Sequence, residues 1–126
     1  MLSICKVKMN KITDFHKPED SSFVGWIFSG AVVKKTFNYN IYTLLLKSEQ
    51  KVLVVELNRE KENAIICNAD GSELKRITNP DTNSTGFGDA YYVNEELTLI
   101  SRRRDASMLA VVIDENGEIV RTYETR

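Results

Sequence analysis

The sequence is poor in the residues that most reaction chemistry needs. It holds one histidine, two cysteines, two prolines and one tryptophan in 126 residues. A serine or cysteine nucleophile usually draws on a histidine base. The sole histidine, His16, stands in "DFHKPED" near Asp14 and Glu19 with no serine or cysteine at a recognised spacing. It reads as a surface residue, so no enzyme is expected. One histidine and two separated cysteines also fall short of a typical zinc site. No cofactor fingerprint is present either: Gly86 and Gly88 lack the strand–turn–helix setting of a dinucleotide loop. No metal site and no cofactor are therefore expected.

Charge of one sign is missing too. Seventeen Lys and Arg against eighteen Asp and Glu leave a formal net charge of −1. Such a chain has no global field to draw nucleic acid or an anionic membrane. No apolar run approaches the roughly 20 residues of a membrane-spanning helix. The stretch "MLSICKVKMNKITDF" carries lysines every second or third position from Lys6 on and lacks a continuous apolar segment, so no signal peptide is expected. Cys5 and Cys67 both lie in apolar, strand-like runs and read as free buried thiols. Together these features predict a cytoplasmic protein.

What the chain does have is strand material. It is 42% apolar and 28% charged, ordinary for one soluble domain of this length. Runs rich in Val, Ile, Thr, Tyr and Phe alternate with Ser-Gly, Asp-Gly, Asn-Gly and Asn-Pro punctuators. Strands are predicted near 4–10, 23–28, 31–37, 40–47, 51–58, 63–68, 73–78, 88–93, 97–103, 108–114 and 118–124. A loop or one short helical turn is predicted over 13–22, and a loop over 78–88. The aromatics Trp26, Phe28, Phe37, Tyr39, Tyr42, Tyr91 and Tyr92 fall inside or beside these strands and read as core.

The last hairpin, "AVVIDENGEIVRTYETR", has an earlier counterpart in "AIICNADGSELKRIT". Placing Gly117 on Gly71 sets residues 90–117 on 44–71 without a gap. Apolar runs and turns agree throughout, with identities at Glu49/Glu95, Leu53/Leu99, Ala64/Ala110 and Gly71/Gly117. A shorter copy, "FVGWIFSGAVVKKTFN", lies upstream. Four strands per 40 to 50 residues is the period of a β-propeller blade. The prediction is all-β: antiparallel meander repeats forming an open, partial β-propeller in one domain, with an incomplete blade at 1–38 and blades at 39–80 and 81–126. A β-sandwich or open barrel is the alternative.

An open fan leaves sheet faces and strand edges uncovered. Charge guards them or a partner covers them. Projecting loops on a rigid scaffold suit protein recognition. In a blade, the loops joining strands two to three and four to one share a rim. Glu19, Asp20, Glu60, Glu62, Asp81, Asp89 and Asp105 fall there as candidate partner-binding residues, an acidic surface for a basic protein. As ordinary structure they are solvated loop charges. "PDTNSTGFGD" lacks the spacing of a calcium loop and reads as a connection. In "SRRRD", strand alternation sends Arg103 opposite to Arg102 and Arg104, which splits the patch. Ion pairing with Asp105 or Glu56 is favoured over phosphate contact.

On its repeated "NADGSELKRIT" and "DENGEIVRTYE" hairpins, the chain resembles the partial-propeller immunity proteins of contact-dependent growth inhibition systems. That resemblance implies a cytoplasmic partner of a ribonuclease A-like toxin, covering the active site of its basic nuclease domain as a monomer in a 1:1 complex. No membrane and no direct nucleic-acid binding are implied. A non-enzymatic adaptor, or a module that self-associates through its open faces, remains open.

Overall fold

The computed structural model describes residues 11–125. The strand expected at 4–10 and Cys5 lie outside them. The described chain is all-β, without a helix, and forms three antiparallel sheets. The first sheet holds β1 (Thr13–His16), β2 (Phe23–Phe28) and β3 (Ala31–Thr36) in the order β1-β2-β3. The second holds β4 (Ile41–Leu45), β5 (Lys51–Glu56), β6 (Ala64–Asn68) and β7 (Glu73–Arg76) in the order β4-β5-β6-β7. The third holds β8 (Ser84–Val93), β9 (Glu96–Arg103), β10 (Met108–Ile113) and β11 (Ile119–Thr125), with neighbours again consecutive in the chain. No barrel closes among the described residues. Short, punctuated runs favour this outcome, because each turn returns the chain beside the strand it has just left.

The middle sheet is buried on both faces, and its sequence says why. β5 and β6 read "KVLVVE" and "AIICN", continuous apolar runs rather than an alternation. A strand covered on one side needs apolar residues only at every second position. Here Val52, Val54, Ile65 and Cys67 pack with Val24, Trp26 and Ile41 toward the first sheet. Leu53, Val55, Ala64 and Ile66 pack with Phe87, Leu97, Leu99, Val111 and Ile113 toward the third. Cys67 is buried and free, and burial pushes its thiol pKa up.

Contacts between successive sheets fall at the same turns, with an alike Lys–Glu pair at each junction. The Trp26 indole N–H donates to the Ala69 carbonyl at 2.6 Å, and the Lys35 ammonium donates to the Gly71 carbonyl at 2.7 Å. One sheet on, Ser48 donates its backbone N–H (3.1 Å) and hydroxyl (2.5 Å) to Glu115, and Lys75 pairs with Glu118. Lys11 pairs with Glu49 at 3.4 Å, and Lys47 pairs with Glu95. Gly71 and Gly117 both sit at positive φ under the last strand of the preceding sheet. A Cβ there would lie 2.9 Å from Val33 Cγ1 or from Ile77 Cδ1. Gly117→Ala is expected to cost about 1–2 kcal/mol, the left-handed penalty of a residue with a side chain plus displacement of Ile77. A denaturant midpoint within error of wild type would show that the Ile77 contact yields freely.

The structure corrects several sequence expectations. The loop expected over 13–22 begins as strand β1, whose pairing with β2 is interrupted by a bulge around Asp14 at φ 52°. The loop expected over 78–88 ends at Asn83, because bulges at Ser84/Gly86 and Phe87/Asp89 let the glycine-bearing run pair with β9. Tyr39 and Tyr91 are exposed rather than core. The gap-free alignment also slips. The β4–β5 turn is closed by Leu46 N–H on Lys51 O (3.0 Å) and loops through 47–50, whereas β8 and β9 are joined by 94–95 alone. Leu53 therefore faces the third sheet while Leu99 faces the second, so Val54, not Leu53, is the counterpart of Leu99. Gly71/Gly117 and Ala64/Ala110 keep equivalent places.

Candidate functional site

Five connections meet along one rim: 17–22, 37–40, 57–63, 77–83 and 104–107. Backbone bonds bind the first three, with Phe37 N–H on Ser22 O (2.8 Å), Ile41 N–H on Ser21 O (3.0 Å) and Leu57 N–H on Asn40 O (2.9 Å). Two asparagines fasten the long 57–63 loop to its neighbours. Buried Asn63 donates to Glu56 O (2.6 Å) and Phe87 O (2.8 Å) and accepts from Phe87 N–H (2.8 Å). Asn79 donates its amide to Lys61 O and to the Ser84 hydroxyl, both at 2.9 Å, and its N–H to the Glu62 carboxylate at 3.3 Å. Arg76 donates to Glu62 O at 2.9 Å. Gly86, at φ 116°, lets this loop lie directly on β8, since a Cβ there would stand 2.6 Å from Glu60 O.

Beneath the rim lies a buried charged network. Asp81 is 4% exposed. Its carboxylate accepts from Arg103 Nε (2.9 Å), from the Ser101 hydroxyl (2.9 Å) and from Asn83 N–H (3.1 Å). Burial opposes its charge, but the bonds from Arg103, Asn83 and Ser101 outweigh it and hold its pKa below the usual carboxylate range. Arg103 extends to Glu124 at 2.8 Å and is held firmly protonated by both carboxylates.

The seven acidic residues picked from sequence do not form one surface. Glu19, Asp20, Glu60, Glu62 and Asp105 are exposed on rim connections. The Asp105 carboxylate accepts from the Ser107 hydroxyl (2.6 Å) and N–H (2.9 Å), which lowers its pKa. Asp81 is withdrawn into the buried network. Asp89 belongs to β8, not to a loop, is half-buried, and adds to the burial that raises the Tyr42 pKa. The arginine run does enter ion pairing, but through Arg103 with Asp81 and Glu124. Glu56 pairs with Arg76 instead, at 3.5 Å.

Sequence reasoning passed over Arg59 and Lys61 and favoured ion pairing for the arginine run, whereas Arg104 enters no ion pair among the described residues. Arg59, Lys61 and Arg104 line a cleft of about 700 Å³ on this rim, with Thr82, Asn83 and Thr85. The signal stood in stretches already singled out: "NREKEN" alternates Arg59, Glu60, Lys61 and Glu62, and Arg104 ends the arginine run. Elsewhere, His16 is exposed on β1 beside a shallow apolar groove with Phe23, Ile27 and Val32. Among the described residues no three His, Cys, Asp or Glu converge as a metal site, and no helix is long and apolar enough to cross a membrane.

Fold and rim define an all-β protein of stacked meander sheets with a built, mixed-charge loop surface. No family model and no curated protein matches its sequence. Among solved structures, a chain of "Structure of Tne2 in complex with Tni2" shares the fold, with a TM-score of 0.64 and 16% identity over 88% of this chain and 82% of that one.

Proposed function

We propose that this chain is an immunity protein that binds and neutralises a cognate toxin, with the loop rim as its binding surface. The observation that carries this reading is the shared fold with a chain from a two-protein complex, Tne2 with Tni2. The rim supports it locally. Its 57–63 and 77–83 loops are fastened by the Asn63 and Asn79 amides before any partner arrives, so less ordering entropy opposes association. The scaffold is a partial propeller whose blades are the three sheets. The partner is a basic nuclease domain, a ribonuclease of the contact-dependent growth inhibition type. It is held 1:1 in the cytoplasm with its active site covered, and no chemistry is performed by the inhibitor.

Glu19, Asp20, Glu60, Glu62 and Asp105 face the toxin's cations in this reading. Reversing these five to lysine is expected to slow association roughly tenfold or more at low salt, with little change in dissociation. Stopped-flow or surface-plasmon kinetics against the toxin domain recovered from the native host measures both rates. Unchanged rates and salt dependence would remove the acidic residues from the interface. Failure to recover any toxin by pull-down from the native host, with a stable homodimer present, would favour the second reading. That reading is a self-associating module, favoured by the exposed Ile119, Val120 and Tyr123 on the terminal strand β11.

A further inference from the structure

We propose that the Arg59–Lys61–Arg104 cleft receives a carboxylate-bearing segment of a protein partner, so that the rim reads charge of both signs. This inference rests on the reading of the rim as a protein-binding surface and deepens it. Six of the fourteen Lys and Arg of the described chain, Lys11, Lys47, Lys75, Arg76, Arg103 and Arg121, stand in ion pairs, while Lys35 donates to the Gly71 carbonyl and Lys34 sits over the Phe23 ring. Arg59, Lys61 and Arg104 enter no ion pair among the described residues, and all three are exposed on one cleft that no carboxylate lines. Unpaired like charges repel and are retained at some cost in stability unless an anion joins them.

The cleft is also held in shape. Lys61 is fixed through its carbonyl by Asn79. Arg59 sits at φ 62°, a left-handed conformation uncommon for arginine, in a loop pressed onto Gly86. Arg104 immediately follows Arg103, which the Asp81 and Glu124 pairs anchor. Thr82, Asn83 and Thr85 add hydroxyl and amide groups to the walls. Three clustered cations on a held backbone, with neighbouring hydroxyls, suit a carboxylate.

A protein segment fits better than nucleic acid. No aromatic side chain lines the cleft to stack a base. Glu60, Glu62 and Asp105 alternate with the three cations along the same connections, and they would repel a continuous phosphate backbone while leaving room for one or two acidic side chains. The partner surface implied is basic with an acidic projection. Such a pattern rejects a merely basic competitor, because its cations meet Arg59, Lys61 and Arg104.

The test uses the whole chain with two probes, a glutamate-rich octapeptide and a single-stranded RNA of matched length, titrated at low salt by fluorescence anisotropy. The peptide is expected to bind, more weakly as salt rises, and more tightly than the RNA. Arg59→Gln/Lys61→Gln/Arg104→Gln is expected to lower peptide affinity roughly tenfold or more. Because the cleft recognises charge rather than a bidentate geometry, the charge-conserving Arg59→Lys/Arg104→Lys should stay within about threefold of wild type; it keeps the test decisive should the neutral variant misfold. Tighter RNA binding, no peptide binding, or equal loss in the charge-conserving variant would overturn the proposal. Toxin capture without peptide binding strikes this inference alone. Peptide binding without any toxin partner strikes only the neutralisation reading.

Discussion

Asp81→Ala is expected to destabilise the protein by about 3 kcal/mol, the usual cost of breaking a buried ion pair by removing one member. For a chain of this size that lowers the melting temperature by roughly 12 °C. Three donors converge on this carboxylate, from Arg103, Ser101 and Asn83. Alanine would leave the Ser101 hydroxyl and the Asn83 N–H without it, and Arg103 with Glu124 as its one remaining carboxylate. Asp81→Asn should cost less, because an amide oxygen still accepts from two of the donors. The pH dependence has a definite sign. The folded carboxyl has a lowered pKa. Its contribution is therefore full above the unfolded carboxylate value of about 4 and is lost as the pH falls through the folded value. The stability gap between wild type and Asp81→Asn should be constant near neutrality and shrink below about pH 4. Thermal melts across that range measure it. A gap that widened in acid would mean that Asp81 is protonated in the native state.

Trp26→Ala should have an effect of similar or larger size, about 4 kcal/mol. The indole is 2% exposed between the first and second sheets, stacked beside Phe15 at 6.3 Å. Its N–H satisfies the Ala69 carbonyl inside the turn that carries Gly71. The substitution opens a cavity and strips a buried acceptor together. Trp26→Phe separates the two: it keeps most of the packing and should cost about 1–2 kcal/mol, chiefly for the orphaned carbonyl. Calorimetry or circular dichroism must serve as the probe, since the variants lose the only tryptophan. Equal losses for Phe and Ala would mean that the hydrogen bond, not the ring volume, holds the first sheet to the second.

Much of the fold was legible along the chain. Strands and hairpins follow from local propensity and from turn dipeptides, which act over a few residues. The Gly71 and Gly117 turns could be matched because both glycines answer one local demand, a positive φ under a neighbouring strand. The double burial of the middle sheet was written in "KVLVVE" and "AIICN". Register was not legible. The connection between the first two strands of the second sheet is two residues longer than its counterpart in the third, and a one-residue slip moves every side chain to the opposite face. Leu53 and Leu99 are identical in type and opposite in direction for that reason.

The candidate site divides in the same way. Composition alone set the near-neutral charge, the single histidine and the absence of a recognisable catalytic motif, and spacing alone set the strand–turn grammar of three meander sheets. Only the tertiary structure decided which charges reach solvent. Asp81 and Glu60 look alike in a sequence. One is desolvated and committed to Arg103, whose partner choice depends on β8 and β9 lying side by side. The other stands exposed on a loop that lies over Gly86. Charge in a sequence is a sum over residues, whereas charge on a surface depends on which ions the fold has already paired. That pairing hid one acid of the expected rim and left Arg59, Lys61 and Arg104 open beside the rest.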